Sequence, residues 1–296
     1  MDRQPQGHEP GPDAGPGAGP GAGADTAADA GPAAAATRHG GHDTGEVALE
    51  ARELGVSYGG VHALHDLSVR VGRGQIVGLI GPNGAGKTTT IDALTGFVRH
   101  TGRVEVDGVD VTGAAPHRRA AAGLGRTWQS LELFDDLSVV ENCRVAATRP
   151  TLATTALDAV RPSRARDEQQ VAWALSLLGL DDVADRAPSE LSLGQRKLAA
   201  VARAMSARPA VLLLDEPAAG LDSDESLALG AKMQQMVAHG TSIFLIDHDM
   251  ALVLGVCDHV YVLDFGCVIA EGPPAEVRHD HRVVEAYLGT SHGAPA

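Results

Sequence analysis

The sequence predicts an α/β fold with a mostly parallel central sheet. Three observations predict it: short apolar runs typical of buried strands, helical patterns between those runs, and a glycine-rich loop that joins one such strand to a helix. Because parallel strands need crossover connections, this alternation favours a sheet covered by helices.

Composition limits the class of protein. A formal net charge of -14 over 296 residues argues against a general nucleic-acid binder, which needs a basic surface. Cys143, Cys257 and Cys267 lack metal-ligand spacing and fit packing roles in a reducing compartment. No apolar run approaches the roughly 18 residues of a membrane span, and the N-terminus lacks the apolar core of a signal peptide. We therefore expect a cytosolic chain whose membrane role, if any, comes through a partner.

The N-terminal segment differs in composition from the rest of the chain. Residues 1–40 contain 9 glycines and 6 prolines, which resist regular structure. Such a segment has too little apolar area to offset the entropy that the chain loses on folding. We predict a disordered tail over 1–45, which is either a passive extension or a segment with a contact or regulatory role. One ordered domain is predicted over 46–290, followed by a flexible C-terminus over 291–296.

The elements of this domain follow from local patterns. The stretch "VALEARELGVSYGG" alternates like a strand, "LSVRVGRGQIVGLIG" ends in a buried strand, and "KTTTIDALTGF" is typical of a helix. A hairpin is predicted in "GRVEVDGVDVT", with Asp107-Gly108 at its turn, and a short strand in "LGRTW". Helical patterns dominate from about 131 to 196. Buried strands are then predicted in "AVLLLDEP", "TSIFLIDHD" and "HVYVLDFG".

The strongest local motif is the loop "GPNGAGKTT" that follows the strand "IVGLI". It fits G-x-x-x-x-G-K-[ST] through Gly81, Gly86, Lys87 and Thr88, in the strand–loop–helix context that this motif requires. Backbone N–H groups of such a loop surround phosphate oxygens, Lys87 can reach the β- and γ-phosphates, and Thr88 can bind Mg²⁺. The loop alone does not separate a kinase from a GTPase or a transport ATPase.

Two acids and a histidine follow the later buried strands. Asp215 and Glu216 stand at the carboxyl end of "VLLLD", at the sheet edge where α/β proteins bind ligands. Asp215 is predicted to hold hydrated Mg²⁺, and Glu216 is predicted to polarise the attacking water. His248 follows the next strand at the same edge, where it can hydrogen-bond the γ-phosphate and the water.

Two further residues are candidates with simple alternatives. Gln129, after "LGRTW", can bind Mg²⁺ through its amide, or it is a surface glutamine at a strand end. Tyr58, in "VSYGG", can stack on adenine, or it is a core aromatic.

Taken together, the motifs resemble the ATP-binding subunit of ABC transporters over about residues 47–289. The motifs are "GPNGAGKTT", the glutamine of "GRTWQS", "LSLGQ", "LLLDEP", "AAGLD" and the histidine of "IDHDM". The resemblance implies a P-loop NTPase fold with an antiparallel β subdomain and a helical signature subdomain over about 131–196. It also implies ATP and Mg²⁺ as ligands.

In this family the "LSLGQ" signature contacts the ATP held by the other subunit of a head-to-tail dimer. The resemblance therefore assigns Ser192, Gly194 and Gln195 to the partner's nucleotide and Asp222 to the dimer seam; Leu193 departs from the usual glycine pair. The residues assigned to ATP are Tyr58, Gly81, Pro82, Asn83, Gly84, Ala85, Gly86, Lys87, Thr88, Thr89, Ser192, Gly194, Gln195 and Asp222. Glu216, His248 and Gln129 are assigned to catalysis.

The stretch from "LTGFVRHTGRVEV" to "VVEN" and the tail from "IDHDM" to "VVEAYLG" resemble importer ATPases for branched-chain and other hydrophobic amino acids. Relatives for urea or short amides and a lipopolysaccharide-export ATPase are the alternatives. The resemblance implies permease subunits, a second identical or paralogous ATPase, indirect action of an extracytoplasmic solute-binding protein, and peripheral attachment at the cytoplasmic membrane face.

Two readings outside transport are less favoured. A soluble ABC ATPase of DNA maintenance would carry long coiled coils, and no sustained heptads separate the two glycine loops; translation-type members usually carry two such domains. A non-catalytic ATP-bound regulator is disfavoured because both acids and the histidine are present.

Overall fold

The structure is a computed structural model that describes residues 46–128, 132–148 and 163–289. Within these ranges ten strands form two sheets. They are β1 (Val47–Tyr58), β2 (Val61–Gly72), β3 (Ile76–Ile80), β4 (Thr101–Val106), β5 (Val109–Asp110), β6 (Leu124–Arg126), β7 (Val211–Asp215), β8 (Ser242–Ile246), β9 (His259–Asp264) and β10 (Cys267–Gly272). The helices are α1 (Lys87–Thr95), α2 (Pro116–Ala121), α3 (Val139–Ala147), α4 (Ser163–Leu178), α5 (Leu193–Ser206), α6 (Ser223–Ala238), α7 (Met250–Val256), α8 (Pro274–Val277) and α9 (His281–Gly289).

The central sheet has six strands in the order β10-β9-β3-β8-β7-β6. Its pairs are parallel except β10 with β9. The sheet thus places β3, which precedes the glycine-rich loop, between two strands from the last third of the chain. The predicted α/β class with a mostly parallel sheet is confirmed.

The second sheet is antiparallel, in the order β2-β1-β4-β5. The β4–β5 turn has Asp107 at φ 53° and Gly108 at φ 77°, and two positive φ angles match the twist of a two-residue hairpin. The hairpin predicted from Asp-Gly is therefore confirmed.

Alternate side chains of the central strands supply two apolar cores. In β7, Leu212 and Leu214 face a core shared with α3 to α7, whereas Val211 and Leu213 face a core shared with α1 and the antiparallel sheet. The strand period of two residues produces this division, and all five residues of β7 are buried. A strand buried on both faces reads as an unbroken apolar run, which is why the sequence pattern identified it.

The helical region predicted over about 131–196 contains α3, α4 and the start of α5 among the residues that the structure describes. Residues 1–45, 129–131, 149–162 and 290–296 lie outside the described ranges, and so do the predictions made for the tail and for the last residues. None of the helices in the described ranges combines the length and the hydropathy needed to cross a membrane.

Candidate active site

The glycine-rich loop, the two acids and His248 lie at one edge of the central sheet. Strand β8 pairs with both β3 and β7, so that Ile246 lies opposite Leu79 on one side and opposite Asp215 on the other. The three loops that follow these strands begin at Gly81, Glu216 and Asp247, and they are consequently neighbours.

The glycine-rich loop encloses the Lys87 ammonium. The Lys87 Nζ donates to the carbonyl oxygen of Gly81 at 2.7 Å and to that of Pro82 at 3.0 Å. Burial lowers the pKa of Lys87, while the charges of Glu216 and Asp215 oppose that shift. Lys87 is the first residue of α1, and two carboxylates lie near its ammonium. This arrangement suits an anionic phosphate that is bound together with a cation.

Glycine is required at the junction of this loop and α1. Gly86 has φ 108°, and a Cβ there would lie 2.9 Å from the Ala63 carbonyl oxygen. The loop residues Asn83 and Gly84 are exposed and Ala85 is buried; in the first turn of α1, Thr88 is exposed and Thr89 half-buried. The Thr88 hydroxyl is therefore accessible at the N-terminus of α1.

Asp215 belongs to a buried ionic cluster that the sequence did not reveal. The Arg126 Nη1 lies 2.7 Å from the Asp92 Oδ1, and its Nη2 lies 3.4 Å from the Asp215 Oδ2. The guanidinium also stacks on the Trp128 ring, with 3.9 Å between Cζ and the ring centroid. Burial raises the pKa of Asp215, and Arg126 opposes the shift. One carboxylate oxygen of Asp215 is thus held by arginine, and its position is fixed.

Glu216 and His248 face each other across the edge. The His248 Nδ1 lies 3.9 Å from the Glu216 Oε2, and the two side chains are 62% and 25% exposed. Glu216 has φ 47°, uncommon outside glycine, and its N–H donates to the Ile246 carbonyl at 2.7 Å. A solvent-accessible histidine beside a carboxylate can orient a water and a phosphate together.

Asp247 fixes the two loops that carry these groups. Its side chain is fully buried, and it accepts from the Ala218 N–H at 3.0 Å and from the N–H groups of His248 and Asp249 at 2.8 and 3.0 Å. The position of Asp247 at the end of a buried strand, one residue before His248, was the sequence signal that could have identified it.

The signature residues lie at a helix N-terminus. Ser192 caps α5: its Oγ accepts from the Gln195 N–H at 3.2 Å, and the Gln195 Oε1 accepts from the Ser192 N–H at 3.0 Å. Asp222 caps α6 in the same way with Glu225. A Cβ on Gly194 would lie 3.0 Å from the Glu225 Oε1, so the two caps are adjacent.

The remaining predicted residues have different outcomes. Tyr58 is 50% exposed, which excludes the alternative of a core aromatic and leaves its ring accessible for stacking. Gln129 lies outside the described residues, two positions after Thr127, whose N–H donates to Leu213 of β7. The structure therefore does not test the roles of Gln129.

The donor set fits Mg²⁺ bound together with a nucleotide. In the described part of the chain no group of three or more His, Cys, Asp or Glu side chains could hold a metal by itself. Mg²⁺ keeps several waters and takes few protein ligands when phosphates supply the rest. The Thr88 hydroxyl and the Asp215 carboxylate are oxygen donors of the kind that Mg²⁺ takes.

A family model described as "ABC transporter" matches residues 64–219, which include the glycine-rich loop, the signature and both acids. The chain belongs to the ABC transporter family. A second model, "Branched-chain amino acid ATP-binding cassette transporter", matches residues 267–293. The predicted family and ATPase class are confirmed.

Individual relatives agree with this family. The chain is 38% identical over 251 residues to the high-affinity branched-chain amino acid transport ATP-binding protein BraF of Pseudomonas aeruginosa, over 81% of this chain and 97% of BraF. The lipopolysaccharide export system ATP-binding protein LptB of Acidithiobacillus ferridurans is 36% identical over 81% of this chain and 96% of its own. A solved nucleotide-free ATP-binding cassette from an ABC transporter has a TM-score of 0.72 and 30% identity, over 82% of this ABC ATPase and 98% of that cassette.

Proposed function

We propose that this ABC ATPase is the motor subunit of an importer for branched-chain or other hydrophobic amino acids. The pairing of His248 with Glu216 beside the glycine-rich loop carries the hydrolytic part of the proposal. The BraF relationship and the family model over residues 267–293 support the substrate class.

ATP would bind with its phosphates at residues 81–89 and its adenine on Tyr58. The Lys87 ammonium would exchange its two loop carbonyls for the β- and γ-phosphate oxygens, since a charged acceptor binds an ammonium more strongly than a carbonyl does. Thr88, Asp215 and Gln129 would hold Mg²⁺, which neutralises phosphate charge when bound.

Hydrolysis would use three side chains of this edge. The Glu216 carboxylate would orient a water and accept its proton as the water attacks the γ-phosphorus, while the bond from that phosphorus to the β–γ bridging oxygen breaks and ADP leaves. His248 donates a hydrogen bond to the γ-phosphate and keeps the water in line. Asp247 holds the backbone of both loops that carry these two side chains.

The signature residues would act on a second ATP-binding subunit. Ser192, Gly194 and Gln195 present a helix N-terminus to the γ-phosphate of ATP bound in the partner, which is either identical or a paralogue. Permease subunits would contact the helical region over about 131–196, placing the chain at the cytoplasmic membrane face. A solute-binding protein would act on it only through the permease, and no nucleic acid is involved.

The substitution Glu216→Gln tests the hydrolytic part. The amide keeps the shape of the side chain but does not accept a proton, so we expect hydrolysis to fall at least about 100-fold while ATP binding persists. Turnover close to that of the wild type would show that Glu216 is not the base.

A tagged Glu216→Gln chain, purified from detergent-solubilised membranes, tests the transport part. We expect mass spectrometry to find two polytopic membrane proteins and a second ATPase. Co-purification of only soluble proteins would contradict a transport role.

Export of lipopolysaccharide is the second candidate, supported by the identity to LptB. Relatives for urea or short amides share the importer architecture. The co-purified proteins distinguish these cases, because an exporter would bring no solute-binding protein, and a captured solute-binding protein can be tested for leucine, urea and amide binding.

A further inference from the structure

The signature helix is tied to the hydrolytic turn by one lysine. Lys197 lies in α5, five residues after its cap Ser192, and its Nζ donates to the carbonyl oxygens of Glu216 at 3.3 Å and Pro217 at 3.2 Å. A side chain of one motif therefore holds the backbone of another.

The turn that Lys197 contacts has a strained backbone. Glu216 is not glycine, yet it has φ 47°, a conformation that costs about 1 kcal/mol or more and persists only where its surroundings fix it. The Glu216 N–H donates to the Ile246 carbonyl, and the Glu216 carbonyl accepts from the Ala219 N–H at 3.2 Å as well as from Lys197. Lys197 thus adds a contact from α5 to a turn that backbone hydrogen bonds also hold.

A small cavity lies next to this turn. Lys197, Glu216 and Pro217 line it together with Thr127 and Trp128, and its volume of about 20 Å³ is room for about one water molecule. The Lys197 ammonium therefore contacts the turn beside this cavity.

The charges around Lys197 favour the same arrangement. Burial lowers the pKa of Lys197, and the negative charges of Asp247 and Glu216 oppose that shift. The Lys197 ammonium is therefore attracted by the Asp247 carboxylate, which accepts from the Ala218 and His248 N–H groups, and by the Glu216 carboxylate.

We propose that Lys197 is a positioning residue that links the signature motif to the Glu216 carboxylate of the same chain. This inference rests on the proposed function, since it takes Glu216 as the base and Ser192 as the contact to the partner's ATP. When α5 moves against a nucleotide at Ser192, Lys197 moves the Glu216 turn with it. Each ATP would thereby influence hydrolysis of the other.

The full-length chain carrying Lys197→Met tests the link, since methionine keeps much of the volume and removes the donor. We expect kcat for MgATP hydrolysis to fall about tenfold, because a base displaced by a fraction of an ångström loses its near-attack geometry. KM should stay within about twofold, because Lys197 is not among the residues assigned to the nucleotide. Lys197→Arg, which keeps a charged donor, should restore most of kcat.

Lys232→Met is the matched control. The Lys232 Nζ donates to a single backbone carbonyl, that of Leu177, at 3.3 Å, and burial lowers its pKa as it does for Lys197. Lys232 lies in α6, and this variant should lose a comparable hydrogen bond with both kinetic constants unchanged.

Three results would overturn the inference: kcat of Lys197→Met within about twofold of wild type, an equal loss in Lys232→Met, or no recovery in Lys197→Arg. If Lys197→Met melts below the assay temperature, Lys197→Gln is measured instead with the same expectation. Glu216→Gln is assayed in parallel. Activity in Glu216→Gln contradicts the proposed function, whereas inactive Glu216→Gln with normal Lys197→Met contradicts only the role of Lys197.

Discussion

Removal of the Arg126 side chain should expose the energetics of the buried ionic cluster. Arg126 is 8% exposed and Asp215 6%, with 3.4 Å between Nη2 and Oδ2. At an effective dielectric constant of about 20, two charges at that separation attract by about 5 kcal/mol. Part of this is offset because the buried guanidinium is itself desolvated. We therefore expect Arg126→Met to lower the free energy of unfolding by about 3 kcal/mol.

The assay is urea or thermal unfolding with Arg144→Met as control. For a domain of this size, about 3 kcal/mol corresponds to a Tm decrease of about 6–12 °C. Arg144 makes two hydrogen bonds to Glu168, at 2.9 and 3.0 Å, but both side chains are about half exposed. Its removal should cost less than about 1 kcal/mol. Equal losses in the two variants would refute the reasoning from burial.

The loss of unfolding free energy in Arg126→Met should become smaller as pH falls. Burial raises the pKa of Asp215 above the 3.8 of the free side chain, and loss of Arg126 raises it further. A carboxyl with a raised folded-state pKa destabilises the fold when ionised, and that cost disappears as pH falls through the folded pKa. The difference from wild type should therefore shrink as pH is lowered from neutral towards the folded-state pKa of Asp215. A difference that stays constant or widens would show that Asp215 is not the group concerned.

Two other predictions concern the nucleotide contacts. Gly86→Ala should weaken ATP binding more than about tenfold, because its Cβ would lie 2.9 Å from the Ala63 carbonyl, whereas Gly84→Ala, with no atom within 4 Å, should add only backbone strain. Titration with a fluorescent ATP analogue compares them, and equal losses would contradict the steric argument. Ser192→Ala and Ser138→Ala each remove the serine of a capping box and should each cost about 1 kcal/mol of stability. Only Ser192→Ala should also slow hydrolysis; unchanged turnover would contradict the assignment of Ser192 to ATP.

The sequence predicted best those features that depend on neighbouring residues. The phosphate loop is contiguous, and its glycines, lysine and threonine stand in fixed spacing, so Gly81 to Thr89 could be assigned directly. The sequence assigned Ser192 to the nucleotide and Asp222 to the dimer seam. The structure adds that each residue caps its own helix through a hydrogen bond to the residue three positions later.

Contacts between distant residues were missed. Arg126 meets Asp92 across 34 positions and Asp215 across 89, and Lys197 meets the carbonyl of Glu216 across 19. Each is an ordinary polar residue in its local pattern. Nothing in periodicity or spacing distinguishes such a residue from a surface charge, because its role depends on which strand or helix packs beside it.

By itself, the sequence determined the buried strands β3, β7, β8 and β9, the helix α1, the β4–β5 hairpin, the phosphate loop and the order of the motifs, since these follow from apolar periodicity and local backbone chemistry. The sequence predicted that these motifs share one sheet edge, and only the tertiary structure decided the order of the strands and the contacts between their loops. Parallel strands with the same apolar pattern can be arranged in several orders, and the position of β8 between β3 and β7 depends on how their side chains fill the two cores. That strand order brings His248 to Glu216 and Asp247 to Ala218, and it thereby makes one site from segments far apart in the chain.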